Sequence, residues 1–266
     1  MSENDAFDHI LGVGQSAGQA NAPLLLDLGC CSKSSPHPVR PTDVIRSRIV
    51  GTDLRHIVQS GYPSTSVIGC DIRRDFIDLG HALYADSDTC AIPFFVGDVF
   101  DIVRRPFPQA ADDACPSLKD VRSLNELCGR VKYLYAGAIF HLFDEGTQEA
   151  IARRLVTLLD VTEGNGPAVL FGRHPAKEAE GVIDDALGRY VKQRACWCWT
   201  VHVLKGMVNA RPRYAHSPAS WGKLWQRALG GKIRVRVEAE FRLEESTERV
   251  NPGRGTEMMR WSVWVG

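Results

Sequence analysis

The residues of this chain with the clearest chemical pattern are three acids, Asp27, Asp71 and Asp98. Asp27 and Gly29 lie in Leu24-Leu-Leu-Asp-Leu-Gly-Cys-Cys31, an apolar run that ends in an acid, a glycine and two small residues. Ser66-Val-Ile-Gly-Cys-Asp71 and Pro93-Phe-Phe-Val-Gly-Asp98 are further apolar runs, each closing on an acid. Short apolar runs bounded by turn residues read as fully buried strands. A carboxylate can accept two hydroxyl donors at once, and an exocyclic amine is a donor that needs an acceptor. Three acids at the carboxyl ends of successive strands therefore point to a nucleoside-bearing ligand lying across the top of a parallel sheet. The competing reading makes each acid a helix N-cap, a frequent role for Asp in βα loops. It would suffice for one acid; three in series favour the ligand.

The elements that must position these acids follow from periodicity. Strands are expected over 24–28, 66–70, 92–96, 131–136 and 168–171. Helices are expected over 51–58, 75–84, 117–128 and 146–159, the second with Phe76, Leu79, Ala82 and Leu83 inward. A late helix over 218–229 has Ser217 as its cap. Residues 233–243 and 258–265 alternate with period two and read as an antiparallel hairpin added to one sheet edge, joined through Asn251-Pro-Gly253. Strands alternating with helices at this spacing indicate an open, mostly parallel α/β sheet with helices on both faces. Residues 1–23 are polar and rich in Gly, Ala and Ser, and read as a flexible leader with one short helix over 6–11. Residues 24–266 then form a single domain. Within it, 32–50 is basic, Pro-rich and without apolar periodicity before Val44, the pattern of a disordered surface insertion. Residues 173–216 hold Arg173, His174, the Trp197 to Trp199 cluster and Tyr214, where a substrate cover is expected.

Composition narrows the function classes. The 266 residues are 44% hydrophobic and 24% charged, ordinary for a globular protein. Lys plus Arg and Asp plus Glu number 32 each, so no global field recruits nucleic acid or an anionic membrane. No apolar run approaches a membrane span, and the acidic start argues against a signal peptide. The eight Cys are scattered and most sit inside apolar segments, which suits a reducing, cytoplasmic location. Cys30-Cys31 and Cys196-Trp-Cys198 lack paired metal-ligand spacing, so no metal is expected. Oligomeric state is not legible.

Taken in order, these motifs resemble the class I S-adenosylmethionine-dependent methyltransferases, over about residues 24–265. Asp27 and Gly29 match the start of that family's first motif. The resemblance implies a Rossmann-like, mostly parallel seven-stranded sheet with a C-terminal antiparallel hairpin, and S-adenosylmethionine as cofactor. It implies that Asp71 holds the ribose hydroxyls and Asp98 the adenine amine, with Val99 beside it. Gly51, Ile72 and Gly137 complete the implied cofactor contacts. A closer resemblance is to fungal secondary-metabolite methyltransferases that esterify carboxylic acids in meroterpenoid pathways. It is carried by Leu26-Asp-Leu-Gly-Cys-Cys31, Gly51-Thr-Asp-Leu-Arg55, Gly61-Tyr-Pro63, Tyr135-Ala-Gly137, His141-Leu-Phe143, His216-Ser-Pro218 and Trp261-Ser-Val263. In that pattern Cys-Cys runs almost directly into Gly-x-Asp-Leu-Arg, so removing 32–49 would restore the loop. Ser32-Lys-Ser34 can be encoded across a consensus donor splice site, which makes a translated intron the hypothesis for this stretch. A spliced transcript that still encodes 32–49 would remove it. The family also carries a longer helical region before its first motif.

The resemblance places a small-molecule acceptor near His141, which would orient it or act as its base, and near His216 and Trp197. Each has a competing structural role: His141 holding its loop, His216 capping the late helix, Trp197 in packing. An NAD-dependent oxidoreductase would want Gly-x-Gly-x-x-Gly directly after the first strand, and Gly29-Cys-Cys31 does not supply it. A base-modifying nucleic-acid enzyme would show Asn/Asp-Pro-Pro-aromatic where Tyr135-Ala-Gly-Ala-Ile139 stands. A non-catalytic or impaired methyltransferase-like protein, its cofactor loop interrupted by 32–50, is the alternative from a different class.

Overall fold

The computed structural model describes residues 1–2, 4–30, 51–107, 117–137, 139–183, 212–231, 235–243 and 257–266. Its strands are β1 Leu25–Leu28, β2 Val67–Asp71, β3 Phe94–Val96, β4 Tyr133–Ala136, β5 Ala168–Pro175, β6 Gly181–Val182, β7 Tyr214–Ala215, β8 Val235–Leu243 and β9 Glu257–Val265. Seven of them form one sheet in the order β3-β2-β1-β4-β5-β9-β8. The first five pair in parallel, and β9 runs antiparallel between β5 and β8. The expected fold class, including the terminal hairpin at the edge, is therefore present. The residues joining β8 to β9, Asn251-Pro-Gly253 among them, lie outside the described residues.

A parallel sheet covered on both faces needs apolar residues on both, and β1 and β2 are buried at every position. One face packs Leu26, Ile68, Leu134 and Leu170 against α4 (Glu145–Val156) and α5 (Pro218–Leu229), which contribute Ile151, Leu155, Trp221 and Trp225. The other packs Leu25, Val67, Tyr133, Val169 and Phe171 against α1 (Ala6–Asn21) and α2 (Thr52–Gln59). α3 (Arg74–Tyr84) lies over the β3 edge. The late helix starts where its sequence says it should. Ser217 and Ser220 form a reciprocal capping box with Pro218 in the first turn, and Gly230 ends the helix in the left-handed conformation.

Three expectations need correction. Residues 1–23 are not a flexible leader with a short helix: α1 spans Ala6–Asn21, with a break at Gly18. Met1, Ala6, Phe7 and Ile10 are buried against Leu25, Tyr135 and Phe171. The Asn4 side chain also donates to the carbonyls of Gly172 (3.1 Å) and Trp261 (2.9 Å). A sheet face left open would expose those rings to water, and covering it outweighs the low helix propensity of this Gly-rich stretch. The inward face of α3 is Ile77 and Gly80, while Leu79 and Leu83 are 46% and 39% exposed. With only three-residue β3 beneath it, this edge helix has room to bury one narrow stripe. Residues 117–128 form two short 3-10 turns, Leu118–Asp120 and Leu124–Leu127, rather than one helix. Ser123 accepts the Asn125 N–H and starts the second turn afresh. Among the described residues, no helix is long and apolar enough to cross a membrane.

Candidate functional site

The strand order sets β3, β2 and β1 side by side, and so gathers their acids toward the carboxyl end of the sheet, each stepped two residues further along than the one before. Asp27 sits opposite Gly69 in β2, Asp71 closes β2 opposite Val96, and Asp98 follows β3. Asp27 is 2% exposed, and its carboxyl is held well above the ordinary value, by burial first and then by Asp53 and Asp71. The chain's amino group partly offsets this and donates to Asp53 Oδ1 at 2.5 Å, at the start of α2. Burial thus favours the neutral form of Asp27, and Asp53 and Asp71 supply the negative charge around it.

Asp71 is buried, and its Oδ1 accepts the Arg73 N–H at 2.9 Å across half-buried Ile72. Asp98 Oδ1 accepts the Phe100 N–H at 2.9 Å, so this acid does cap a turn, Val99–Asp101. The Val99 side chain is packed into the core and leaves only backbone for a ligand. Gly29 has φ +71, and its N–H donates to the Cys70 carbonyl at 2.8 Å, which ties the β1 loop to the end of β2. A Cβ there would meet Ile139 Cγ1 at 2.9 Å. Gly51, also at positive φ, donates its N–H to the Cys30 carbonyl at 2.7 Å. Cys30 and Gly51, which flank the residues 31–50 that lie outside the described ones, are therefore adjacent. Half-buried Gly137 follows β4, where a Cβ would meet Tyr135 Oη at 2.7 Å.

The carboxyl ends of β4 and β5 carry a second group. His141 is half-buried in the turn Phe140–Leu142 after β4. His216, 1% exposed just before α5, does not cap the helix; Ser217 does. The Nδ1 of His216 lies 2.8 Å from Ser220 Oγ, and burial, reinforced by Arg227, pushes its pKa down to about 4. Trp197 lies outside the described residues. The described parts of the expected cover form the end of β5 and the small β6–β7 ribbon. His174, placed by sequence only within the expected cover, joins this group: burial holds it well below the usual histidine value, helped by His141 and His216. A strand expected to stop at Phe171 hid it. Pairing with β9 carries β5 on to Pro175, and nothing local signals that partner.

Two other features point elsewhere. His81, Asp86 and Cys90 could each offer a metal ligand, but Arg55 already donates to both Asp86 oxygens, at 2.7 and 3.0 Å. A cavity of about 380 Å³ lined by Leu24, Ser66 and Arg130 lies at the amino ends of the strands, away from the acids.

No protein-family model matches the chain. It is 29% identical over 208 residues to O-methyltransferase phiE of a fungal species, covering 78% of this chain and 50% of that protein. It is 26% identical over 244 residues to methyltransferase adrK of Penicillium rubens, covering 90% and 65%. To asnovolin E/chermesin D methyltransferase nvfJ of Aspergillus novofumigatus it is 22% identical over 218 residues, covering 81% and 57%. The chain thus spans half to two thirds of the length of these relatives. Among solved structures, it superposes on phosphoethanolamine N-methyltransferase 2 of Haemonchus contortus with TM-score 0.50 at 8% identity, covering 97% of this chain and 52% of that one. The fold is that of the class I methyltransferases. The chain is related, at low identity, to fungal methyltransferases.

Proposed function

We propose that this chain carries the core of an S-adenosylmethionine-dependent O-methyltransferase acting on a carboxylic acid of a small secondary metabolite. The observation that carries the reading is the staggered set of Asp27, Asp71 and Asp98 toward the carboxyl ends of three adjacent parallel strands. The donor set fits the cofactor: Asp71 suits vicinal ribose hydroxyls, Asp98 the adenine amine, and the negative field around Asp27 the cationic methionyl end. When bound, S-adenosylmethionine would supply an electrophilic methyl group. The chain's own work is then to align the acceptor, and orientation can be worth roughly 7–11 kcal/mol. A carboxylate, with an unperturbed pKa of about 4, is ionised at pH 7 and needs no base, whereas a phenol near 10 would. His141, beside the transfer position, orients the acceptor in this reading. The relative named for asnovolin E and chermesin D supports a small-molecule acceptor.

The reading that 32–50 disables the cofactor loop loses ground to the Gly51–Cys30 hydrogen bond, which closes the loop around the insertion. The test is calorimetry with S-adenosylhomocysteine, followed by mass spectrometry for a gain of one methyl in extracts of a host expressing the protein beside its neighbouring pathway enzymes. Absence of binding, both by this chain and by one lacking 32–49, would sink the enzyme reading.

A further inference from the structure

The aromatic cluster under the end of β5 is rich in donors and short of acceptors. His174, on β5, is 2% exposed and packs with its ring centroid 4.7 Å from Trp221. Its Nδ1 accepts the indole N–H of Trp261 at 3.0 Å. An indole nitrogen can only donate, so Nδ1 must be the lone-pair nitrogen of the imidazole. Burial keeps the ring neutral, and its single proton is therefore on Nε2. That Nε2–H is buried with no hydrogen-bond partner among the described residues. The indole N–H groups of Trp221 and Trp225, whose rings lie 5.6 Å apart in the same cluster, are buried and unmatched too. Phe140 fills between them, 4.9 Å from Trp221 and 5.9 Å from Trp225. His216 reaches the same Trp221 ring at 5.4 Å, and its Nε2 likewise lacks a partner among the described residues. A buried donor left without a partner bears the full cost of its desolvation. A fold that keeps several in one place is arranged for something that brings acceptor atoms.

We propose that His174, locked as the Nε2–H tautomer by Trp261, binds an acceptor-only oxygen of the substrate, a carboxylate oxygen, with His216 beside it and Trp221 packing the substrate's apolar body. This deepens the methyltransferase reading and rests on it. A carboxylate is acceptor-only and carries several lone pairs, which is what a donor-rich cluster lacks. A neutral N–H holds such an oxygen in place without neutralising it, so the oxygen stays nucleophilic. Neither histidine needs to take a proton from an acid that is already ionised. Esterification removes the charge, so the product is held less well than the substrate.

Two substitutions separate the donor from the packing. Asn at 174 can keep an acceptor for Trp261 while losing the donor at Nε2; Gln can place an amide N–H near Nε2. The test uses the full chain with saturating S-adenosylhomocysteine, and 1-naphthoate as probe with methyl 1-naphthoate as its neutral control. Nitrogen-15 NMR of labelled histidine should show His174 as the Nε2–H tautomer at pH 7, with a resonance that shifts saturably on adding naphthoate. His174→Asn should weaken naphthoate roughly tenfold to a hundredfold, as loss of a hydrogen bond to a charged group predicts. His174→Gln should stay within about threefold of wild type, with thermal unfolding reporting whether each variant is folded. An Nδ1–H tautomer, an unmoved His174 resonance, or naphthoate binding no better than its ester would overturn the assignment. So would equal naphthoate affinity in wild type and a folded His174→Asn. Calorimetry on the same samples keeps the two readings apart: S-adenosylhomocysteine binding without naphthoate binding defeats this inference alone. Failure of that analogue to bind even the wild type defeats the methyltransferase reading.

Discussion

Deleting residues 32–49 should stabilise the protein and leave the cofactor loop intact. The structural basis is the hydrogen bond from the Gly51 N–H to the Cys30 carbonyl at 2.7 Å. After the deletion, Cys30, Cys31, Val50 and Gly51 become four consecutive residues, and the same bond becomes the i to i+3 bond of a β-turn. Gly51 would then stand at i+3, where glycine is favoured in type I turns, with its present φ of +67. Treating the intervening chain as an unconstrained loop, shortening it from roughly 20 residues to two lowers the closure cost by (3/2)RT ln 10, about 2 kcal/mol. For a chain of this size that is a rise in Tm of roughly 4–8 °C. Any contact made by the deleted residues would subtract from it. The assay is thermal unfolding by circular dichroism on both chains, paired with calorimetry against S-adenosylhomocysteine. The expected result is a higher Tm with affinity equal or improved. A lower Tm, or loss of binding by the shortened chain, would show that 32–49 belongs to the fold or the site and refute the reasoning.

Asp71→Asn keeps an oxygen for the Arg73 N–H but loses the charge, and should weaken S-adenosylhomocysteine about tenfold with the fold retained; unchanged calorimetric affinity would mean that the ribose lies elsewhere. Asp27→Asn should move stability and binding in opposite directions, raising Tm at pH 7 by a few degrees while lowering cofactor affinity. The sign follows from a folded pKa above the unfolded one: the native state holds this proton more tightly, so the carboxyl's burden grows as pH rises above about 4. A Tm for Asp27→Asn at or below wild type at pH 7 would contradict it. Asp86 runs the other way, its pKa drawn down to about 2 by hydrogen bonds from Arg55 and then from His81. The stability it contributes is present above its unfolded value near 4 and is lost as pH falls through about 2. Asp86→Asn should therefore flatten the acid limb of the Tm–pH curve, and an unchanged limb would rule the pair out.

The central sheet was legible because its physics is local to each strand. A parallel strand covered on both faces must be apolar throughout, and Leu24-Leu-Leu-Asp-Leu announces that without reference to anything distant. The caps are local in the same sense: Ser217, Pro218 and Ser220 satisfy the first turn of their own helix. The acids toward the strand ends were readable as types and spacings, and the strand order then set them on three neighbouring strands. What the sequence could not decide was everything that depends on a partner far along the chain. α1 looked like a polar leader because its buried anchors Ala6, Phe7 and Ile10 matter only against a sheet face built elsewhere. The stripe of α3 was misread because the narrowness of the edge beneath it is a property of the sheet. His174 is the sharpest case. Its neighbours in sequence, Arg173 and Pro175, say nothing of a Trp 87 residues later whose indole N–H fixes its tautomer. Backbone pattern and burial are written residue by residue, but the protonation and hydrogen-bonding of a buried group are set by whatever the tertiary fold brings against it.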